Sequence, residues 1–294
     1  MKMKIAAATD FAGSTGDPDM SLRALAEAGF TSLHWCHHWC DDFLYGKAEL
    51  DYIAGLLKKY GLTLLDIHGS QGFEKSWCSP VEYQRKAGVE LVSNRIRMLR
   101  ELGGTGTLIM HIPFFKVIQP EDIRPTIREC IDSLHRSIED LMPLLDETDS
   151  LIAVENMWHD SWEVIESLLE RYPANRIGLC YDSGHANASH NKRMDSLEKN
   201  KGRLEALHLH DNNGEGDQHQ PPFYGNVDWE RLAKIIATSS YKRELSFEMS
   251  GSNTPFFVKG VDASRQTYEA RLAFAKDAYE RCARFVGMVE KARE

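Results

Sequence analysis

The stretch Leu204 to His219, LEALHLHDNNGEGDQH, carries the densest set of metal-competent and proton-handling side chains in the chain. His208, His210 and Asp211 end an alternating apolar segment, and Asp217 and His219 follow in an Asn/Gly loop. Imidazoles and carboxylates at this spacing can hold a divalent cation or move protons. Their place, where a strand gives way to a loop, is where a rigid scaffold presents chemistry to solvent.

Other segments end in the same manner. LTLLDIHG reaches His68, GTLIMHIP reaches His111, SLIAVENM reaches Glu155, RIGLCYDSGH carries Asp182 and His185, and ELSFEMS carries Glu248. A lone strand-end histidine such as His68 or His111 is more often a hydrogen-bonded rim residue than a ligand. Glu155, Asp182 and Glu248 differ, because a carboxylate closing an apolar run is costly unless it is paired or bound to a cation. Three of them facing one another without a cation would repel or stay protonated. Three carboxylates and an imidazole form a hard oxygen and nitrogen donor set suited to one divalent ion, Mn, Mg, Co or Zn. The competing cluster is CHHWC, Cys36 to Cys40, which lacks a second ligand pair at zinc-finger spacing. Trp35, His37 and Trp39 are instead expected to line a mouth and offer an aromatic face to a sugar ring.

The elements that must position these groups follow a repeating order. Lys4 to Thr9 reads as a strand and SLRALAEAGF as a helix stopped by Gly29; SLHWCHHW and AELDYIAGLLKKYG repeat the unit, capped by Gly61. Strands ending near His68, His111, Glu155, Asp182, His208 and Glu248 alternate with helical patterns over Pro80 to Leu102, about Pro120 to Leu145, SWEVIESLLERY, weakly Met194 to Asn200, DWERLAKIIA, and about Ala263 to Lys291. Eight strand-then-helix units with continuous apolar strands predict a (β/α)8 barrel, residues 1–294 forming one domain. A doubly wound open sheet is the rival; it is disfavoured by the count of eight and by the absence of GxGxxG after the first strand.

A chain of 294 residues with 42% hydrophobic side chains can bury a large core. Its net charge of −9 argues against a nucleic-acid partner, whose phosphates call for Lys and Arg. Six scattered cysteines and the lack of a leader-like N-terminus predict reduced thiols and a cytoplasmic location. No apolar run approaches the length of a membrane span. The aromatic mouth offers a surface that a second subunit of a homo-oligomer could cover.

VEN at Glu155, CYDSGH at Asp182 and His185, HLHDNNGEGDQH followed by GNVDW, and SFEM at Glu248 together resemble the xylose isomerase-like TIM-barrel superfamily, also called AP endonuclease family 2. It includes sugar and sugar-phosphate isomerases, ketose 3-epimerases and endonuclease IV. The resemblance implies one divalent metal held by Glu155, Asp182, His208 and Glu248, with His208 preferred to His210 because HLHD matches the family's HLKD and HLND at its first position. It implies a small sugar or sugar phosphate as substrate and a metal-stabilised enediolate, with Glu155 and Glu248 carrying protons on opposite faces. His185, His68 and His111 would position hydroxyls, and His210, Asp217, His219, Trp158 and Trp35 would complete the substrate pocket.

Endonuclease IV uses these positions for three zinc ions, and His68, His111, Glu155, Asp182, His185, His208, Asp217, His219 and Glu248 match its pattern in residue type. The loop here reads DQH in place of DRH, and the nuclease's SYLIN-type segment is missing. QPPFYGNVDW resembles the PGxGxIDW loop of the sugar enzymes, with Phe-Tyr-Gly replacing its second Pro-Gly. A lyase on an oxidised glycoside and a sugar-binding barrel are the remaining readings.

Overall fold

The computed structural model describes residues 3–112, 127–158, 162–189 and 194–294. Eight parallel strands form the inner sheet: β1 Ile5–Ala8, β2 Ser32–Trp35, β3 Thr63–His68, β4 Thr107–His111, β5 Leu151–Glu155, β6 Ile177–Asp182, β7 Leu204–His208 and β8 Leu245–Phe247. Neighbours in sequence pair in space, and β1 pairs in turn with β8 through Ile5 opposite Leu245. The seam between β7 and β8 is bridged just past β7, where Leu209 N–H donates to Ser246 O at 3.0 Å and Glu248 N–H to Leu209 O at 3.2 Å. The result is a nearly closed (β/α)8 barrel, the architecture expected from the strand-helix alternation.

The outer layer comprises α1 Asp19–Ala28, α2 Lys47–Tyr60, α3 Glu82–Glu101, α4 Ile127–Thr148, α5 Trp162–Arg171, α6 Ser183–Ala188, α7 Met194–Asn200, α8 Trp229–Ala237 and α9 Tyr268–Arg293. Gly29 (φ 111°) and Gly61 (φ 66°) close α1 and α2 in the left-handed conformation, which glycine adopts without a Cβ clash. The first part of the fourth helical pattern, residues 120–126, lies outside the described residues. The last helix begins at Tyr268 rather than Ala263, because Ala263–Arg265 forms a separate 3-10 turn before Thr267 caps α9. No helix among the described residues is long and apolar enough to cross a membrane.

Strand alternation divides the apolar side chains into two layers. Leu33, Trp35, Ile67, Val154, Leu179 and Phe247 belong to the large core between sheet and helices. Ile109, Ala153, Cys180 and Ala206 form a second small cluster, set apart from that core. Two residues further along each of those four strands stand His111, Glu155, Asp182 and His208. Small residues therefore floor the place where polar ones converge, and an i, i+2 spacing carries each polar side chain to the same face.

Trp35 is corrected by this alternation. It is 1% exposed and points into the sheet-helix layer, its indole N–H donating to Tyr45 Oη at 2.9 Å, so it is a core residue rather than part of the mouth. The strand also stops at Trp35, four residues short of the extended segment the sequence pattern suggests; Cys36 to Cys40 turn away. Arg95 of α3 anchors this turn from below: its Nη2 donates to His38 O at 3.2 Å and Phe43 O at 2.9 Å, and its guanidinium lies 4.5 Å from the centre of the Tyr45 ring. Replacing Arg95 by Met should lower unfolding free energy by about 2–4 kcal/mol, since two buried carbonyls lose a charged donor. Denaturant melts of the two proteins measure this, and a change within about 0.5 kcal/mol would remove the anchoring role.

Candidate metal centre

The registers of the inner strands set the height of each ligand. His111 lies level with Glu155, Asp182 level with His208, while Glu155 faces Cys180, so Asp182 stands two residues higher than Glu155 on the barrel wall. Glu248 follows directly after β8 and closes the ring. One donor atom from each of Glu155, Asp182, His208 and Glu248 lies within 4.8 Å of the others, and all four residues are buried. They are the four residues the resemblance names as ligands, and they stand at the ends of β5, β6 and β7 and directly after β8.

His208 sits between the two glutamates. Its Nδ1 is 3.1 Å from Glu155 Oε1 and 3.1 Å from Glu248 Oε2. Yet Glu155 Oε1 and Oε2 and both His208 ring nitrogens are buried without a hydrogen-bond partner in the structure. The groups are close in space but angled away from hydrogen-bond axes. Buried polar atoms left in this state are costly, and a cation among them satisfies carboxylate and imidazole together. The donor set therefore fits a divalent metal.

Charge balance supports the same conclusion. Burial pushes the Glu155 carboxyl up, and the His208 and His111 imidazoles more than offset it, holding it well below the usual carboxylate range. Glu248 is likewise held low: burial acts upward, and the charges of the nearby His208 and His219 imidazoles outweigh it. Burial pulls the His208 imidazole down, and the paired carboxylates of Glu155 and Glu248 lift it well above its ordinary value. The cluster thus holds protons on imidazoles where a cation would stand in their place.

Two further donor groups flank the four. His68, His111 and Glu155 form one: His68 Nε2 lies 3.2 Å from His111 Nε2, and Glu155 Oε2 lies 3.4 Å from His111 Nε2 and 3.8 Å from His68 Nε2. His185, His210, Asp217 and His219 form the other. Asp217 Oδ2 is 3.3 Å from His185 Nε2 and 3.0 Å from His219 Nε2. His185 also bridges the groups, with Nδ1 3.2 Å from Glu155 Oε1. Desolvation opposes charge on the half-buried His219 ring, and Asp217 and Glu248 raise its pKa to about 10 despite it.

Simple alternation gives His208 and His210 the same facing. The structure separates them, because β7 ends at His208 and the chain turns to carry His210 away. The Nε2 of His210 lies 3.0 Å from Asp182 Oδ2, and its ring stacks on His219 at 4.1 Å and 6°. That stacking requires two backbone features. His219 adopts φ 47°, a left-handed conformation uncommon outside glycine. Gly184 lies against the His210 ring, where a Cβ would come within 1.8 Å of its Cε1. Asp211, counted with the metal-competent residues, instead pins the loop: it accepts from Asn212 N–H, Val227 N–H and Trp229 Nε1–H at 2.9, 3.1 and 2.9 Å.

At the mouth, Trp39 packs against His68 and His111 with ring centres 5.1 and 5.3 Å away, the place expected of it. Trp158 is half-buried against the core beside residues 159–161, which lie outside the described residues. His37 and His38 diverge, the first bonding to Thr9 Oγ1 and the second to Asp41 Oδ2. Several polar residues escaped the sequence reading. His34 and Asp66 form a buried pair at 2.7 Å beneath the cluster, with the His34 ring 4.5 Å from that of His208. Asn156 clamps Asp182 at both backbone groups, at 2.8 and 3.0 Å. Asp10 ends the first strand segment with its pKa raised to about 6, first by burial and then by Glu248. The available signal was a polar residue at period two inside an apolar strand, as in SLHW and TLLDIH.

The xylose isomerase-like TIM barrel family profile matches residues 22–278. The uncharacterized protein y4fM of Sinorhizobium fredii is 30% identical over 254 residues, which cover 78% of this chain and 79% of the relative. A D-tagatose 3-epimerase-like protein superposes with a TM-score of 0.73 at 18% identity, covering 98% of this chain and 99% of its own. An L-ribulose 3-epimerase gives a TM-score of 0.72 at 18% identity, covering 100% and 96%. The chain belongs to the xylose isomerase-like TIM barrel family.

Divalent-ion titration by calorimetry tests the ligand assignment. His208→Asn should weaken binding by more than about 100-fold, and His210→Asn by about tenfold, as expected of a group that orients a ligand. Equal losses would overturn the distinction. Because His208 is held protonated in the metal-free protein, a cation must displace that proton. Apparent affinity should therefore rise with pH; a flat or falling profile from pH 6 to 9 would contradict the assignment.

Proposed function

We propose that this member of the xylose isomerase-like family is a divalent-metal-dependent isomerase or epimerase of a sugar or sugar phosphate. The observation that carries this reading is the placement of Glu155 and Glu248 on either side of His208, with their carboxylate oxygens at 3.1 Å from its Nδ1. Glu155, Asp182, His208 and Glu248 would hold the ion, which when bound supplies Lewis-acid polarisation of a carbonyl and its neighbouring hydroxyl.

The remaining chemistry belongs to the chain. One glutamate, as its carboxylate, takes the carbon-bound proton next to the carbonyl, giving an enediolate; in an isomerisation the same carboxyl returns that proton to the neighbouring carbon, and in an epimerisation the other glutamate, having first taken up a proton from solvent, delivers it to the opposite face. Both carboxyls are held in the ionised form, so each can serve as the base. His68 and His111 stand beside Glu155 and can orient hydroxyls, as can His185 from the opposite flank. Burial, with the neighbouring His111, lowers the His68 pKa to about 3, so near neutrality it is an uncharged hydrogen-bonding group. Trp39 supplies an apolar wall over both histidines. The neighbours whose names describe 3-epimerases of ketoses support this substrate class.

One specific observation favours a second reading, an apurinic-site endonuclease with three zinc ions. Three of the overlapping donor groups suit it: His68 and His111 with Glu155, Glu155 again with Asp182, His208 and Glu248, and His185 with His210, Asp217 and His219. A net charge of −9 weighs against it, since a nucleic-acid backbone is repelled by an acidic surface.

Glu155→Gln and Glu248→Gln should each cut carbon-bound proton exchange on a ketose panel by about a thousandfold or more while the fold is retained. Solvent deuterium incorporation followed by NMR measures this, and unchanged exchange in either variant would sink the mechanism. Metal analysis of protein purified without chelator separates the readings: about one ion per chain supports the sugar enzyme, and about three zincs the nuclease.

A further inference from the structure

At the same end of the barrel as the metal-competent cluster, but sharing none of its residues, a cleft of about 460 Å³ opens between the loop after β1, the start of α1 and the first turn of α9. Arg271 and His37 line it. Both are deeply buried, at 5% and 3% exposure, and neither takes part in the chemistry described above.

Among the described residues, Arg271 is a buried cation with no ion-pair partner. Its Nε donates to Gln266 O at 3.2 Å, Nη1 to Ser21 Oγ at 2.7 Å and Nη2 to Ser264 O at 2.7 Å. All three acceptors are neutral, and each terminal nitrogen keeps an N–H to spare. Burial lowers its pKa with no carboxylate to counter the effect. A guanidinium in this state is a strong site for a planar oxyanion, which can take one N–H from each terminal nitrogen.

His37 adds a second donor. The Thr9 hydroxyl accepts the Cys36 N–H at 3.0 Å and lies 3.2 Å from His37 Nδ1. In the tautomer in which Thr9 donates to Nδ1, the proton of the neutral ring is on Nε2, which has no hydrogen-bond partner among the described residues. Burial brings the ring's pKa to about 4, so it donates without adding charge.

Arg271 is the one cation in the cleft's lining among the described residues. Its rim is acidic: Asp19 is paired with Lys59 at 2.9 Å, and Asp17 accepts from Asp19 N–H and Tyr52 Oη–H but meets no cation. A dianion would be overcharged here, whereas a carboxylate matches the single guanidinium. Asp17 and Thr15, also in the lining, suit hydroxyl groups on the rest of the ligand. We propose that this cleft binds a hydroxylated carboxylic acid, its carboxylate held by Arg271 and His37. The site rests on the geometry of this cleft and not on the reaction assigned to the metal centre.

Calorimetric titration of the full chain with D-gluconate, D-glucitol and inorganic phosphate, each with and without chelator, tests the proposal. Gluconate should bind equally in both conditions, at least about tenfold more tightly than glucitol and no more weakly than phosphate. Arg271→Met and His37→Phe should each weaken gluconate binding by about tenfold or more, and Arg271→Lys should retain part of it. His37→Phe keeps ring and shape, so it decides the matter if Arg271→Met does not fold. Absent gluconate binding, wild-type affinity in His37→Phe, loss of binding on chelation, or tighter binding of phosphate would each overturn the proposal. Failure of the sugar-enzyme reading would leave these titrations unchanged.

Discussion

The structure depends on the mutual compensation of carboxylates and imidazoles buried at one end of a barrel. Glu155, Asp182 and His208 are fully enclosed, and Glu248 nearly so. Each carboxylate alone would be costly to bury, and together they would repel. Imidazoles at 3.0–3.2 Å from Glu155, Asp182 and Glu248 make the arrangement tenable, and the unpaired atoms that remain mark where a cation completes it. The price is precision, because donors from several strands must meet within a few ångströms.

That precision comes from rigid parts of the fold. Strand register fixes the relative heights of His111, Glu155, Asp182 and His208, and the small side chains of Ala153, Cys180 and Ala206 leave room beneath them. Loops are tied down from outside. Asp211 gathers the β7 loop through Trp229, and the guanidinium groups of Arg281 and Arg284 on α9 lie over Tyr224 and Phe223 at 4.2 and 3.9 Å. Phe223 itself has φ 69°, a left-handed backbone that these contacts hold in place. The loop that bears Asp217 and His219 is thus a braced platform rather than a free tether.

The barrel and the strand-end carboxylates were legible in sequence because both rest on local regularities, whereas the preference for His208 came only from the resemblance of HLHD to the family pattern. Alternation of apolar strands with amphipathic helices has a period that can be counted, and a carboxylate after LIAV or LSF stands out against its surroundings. Trp35 was misplaced because it lies at the strand end, where the choice between the two faces depends on the register with β1 and β3 and on where the strand stops. His34 and Asp66 were overlooked because each is a single polar residue in an apolar strand, meaningful only when the partner on the next strand is known.

By itself, the sequence determined that eight repeating units close into a parallel barrel and that Glu155, Asp182, His208 and Glu248 belong at its carboxyl end, since strand direction and side-chain alternation are properties of the local chain. Tertiary structure alone decided what each neighbouring group faces. His210, two residues past the end of β7, meets Asp182 and stacks on His219 because Gly184 leaves space for its ring. Arg271 meets only neutral acceptors because Ser21, 250 residues away in the chain, is packed against the turn carrying Ser264 and Gln266 just before α9. Such juxtapositions depend on the packing of chain segments far apart in sequence, and no spacing along the chain encodes them.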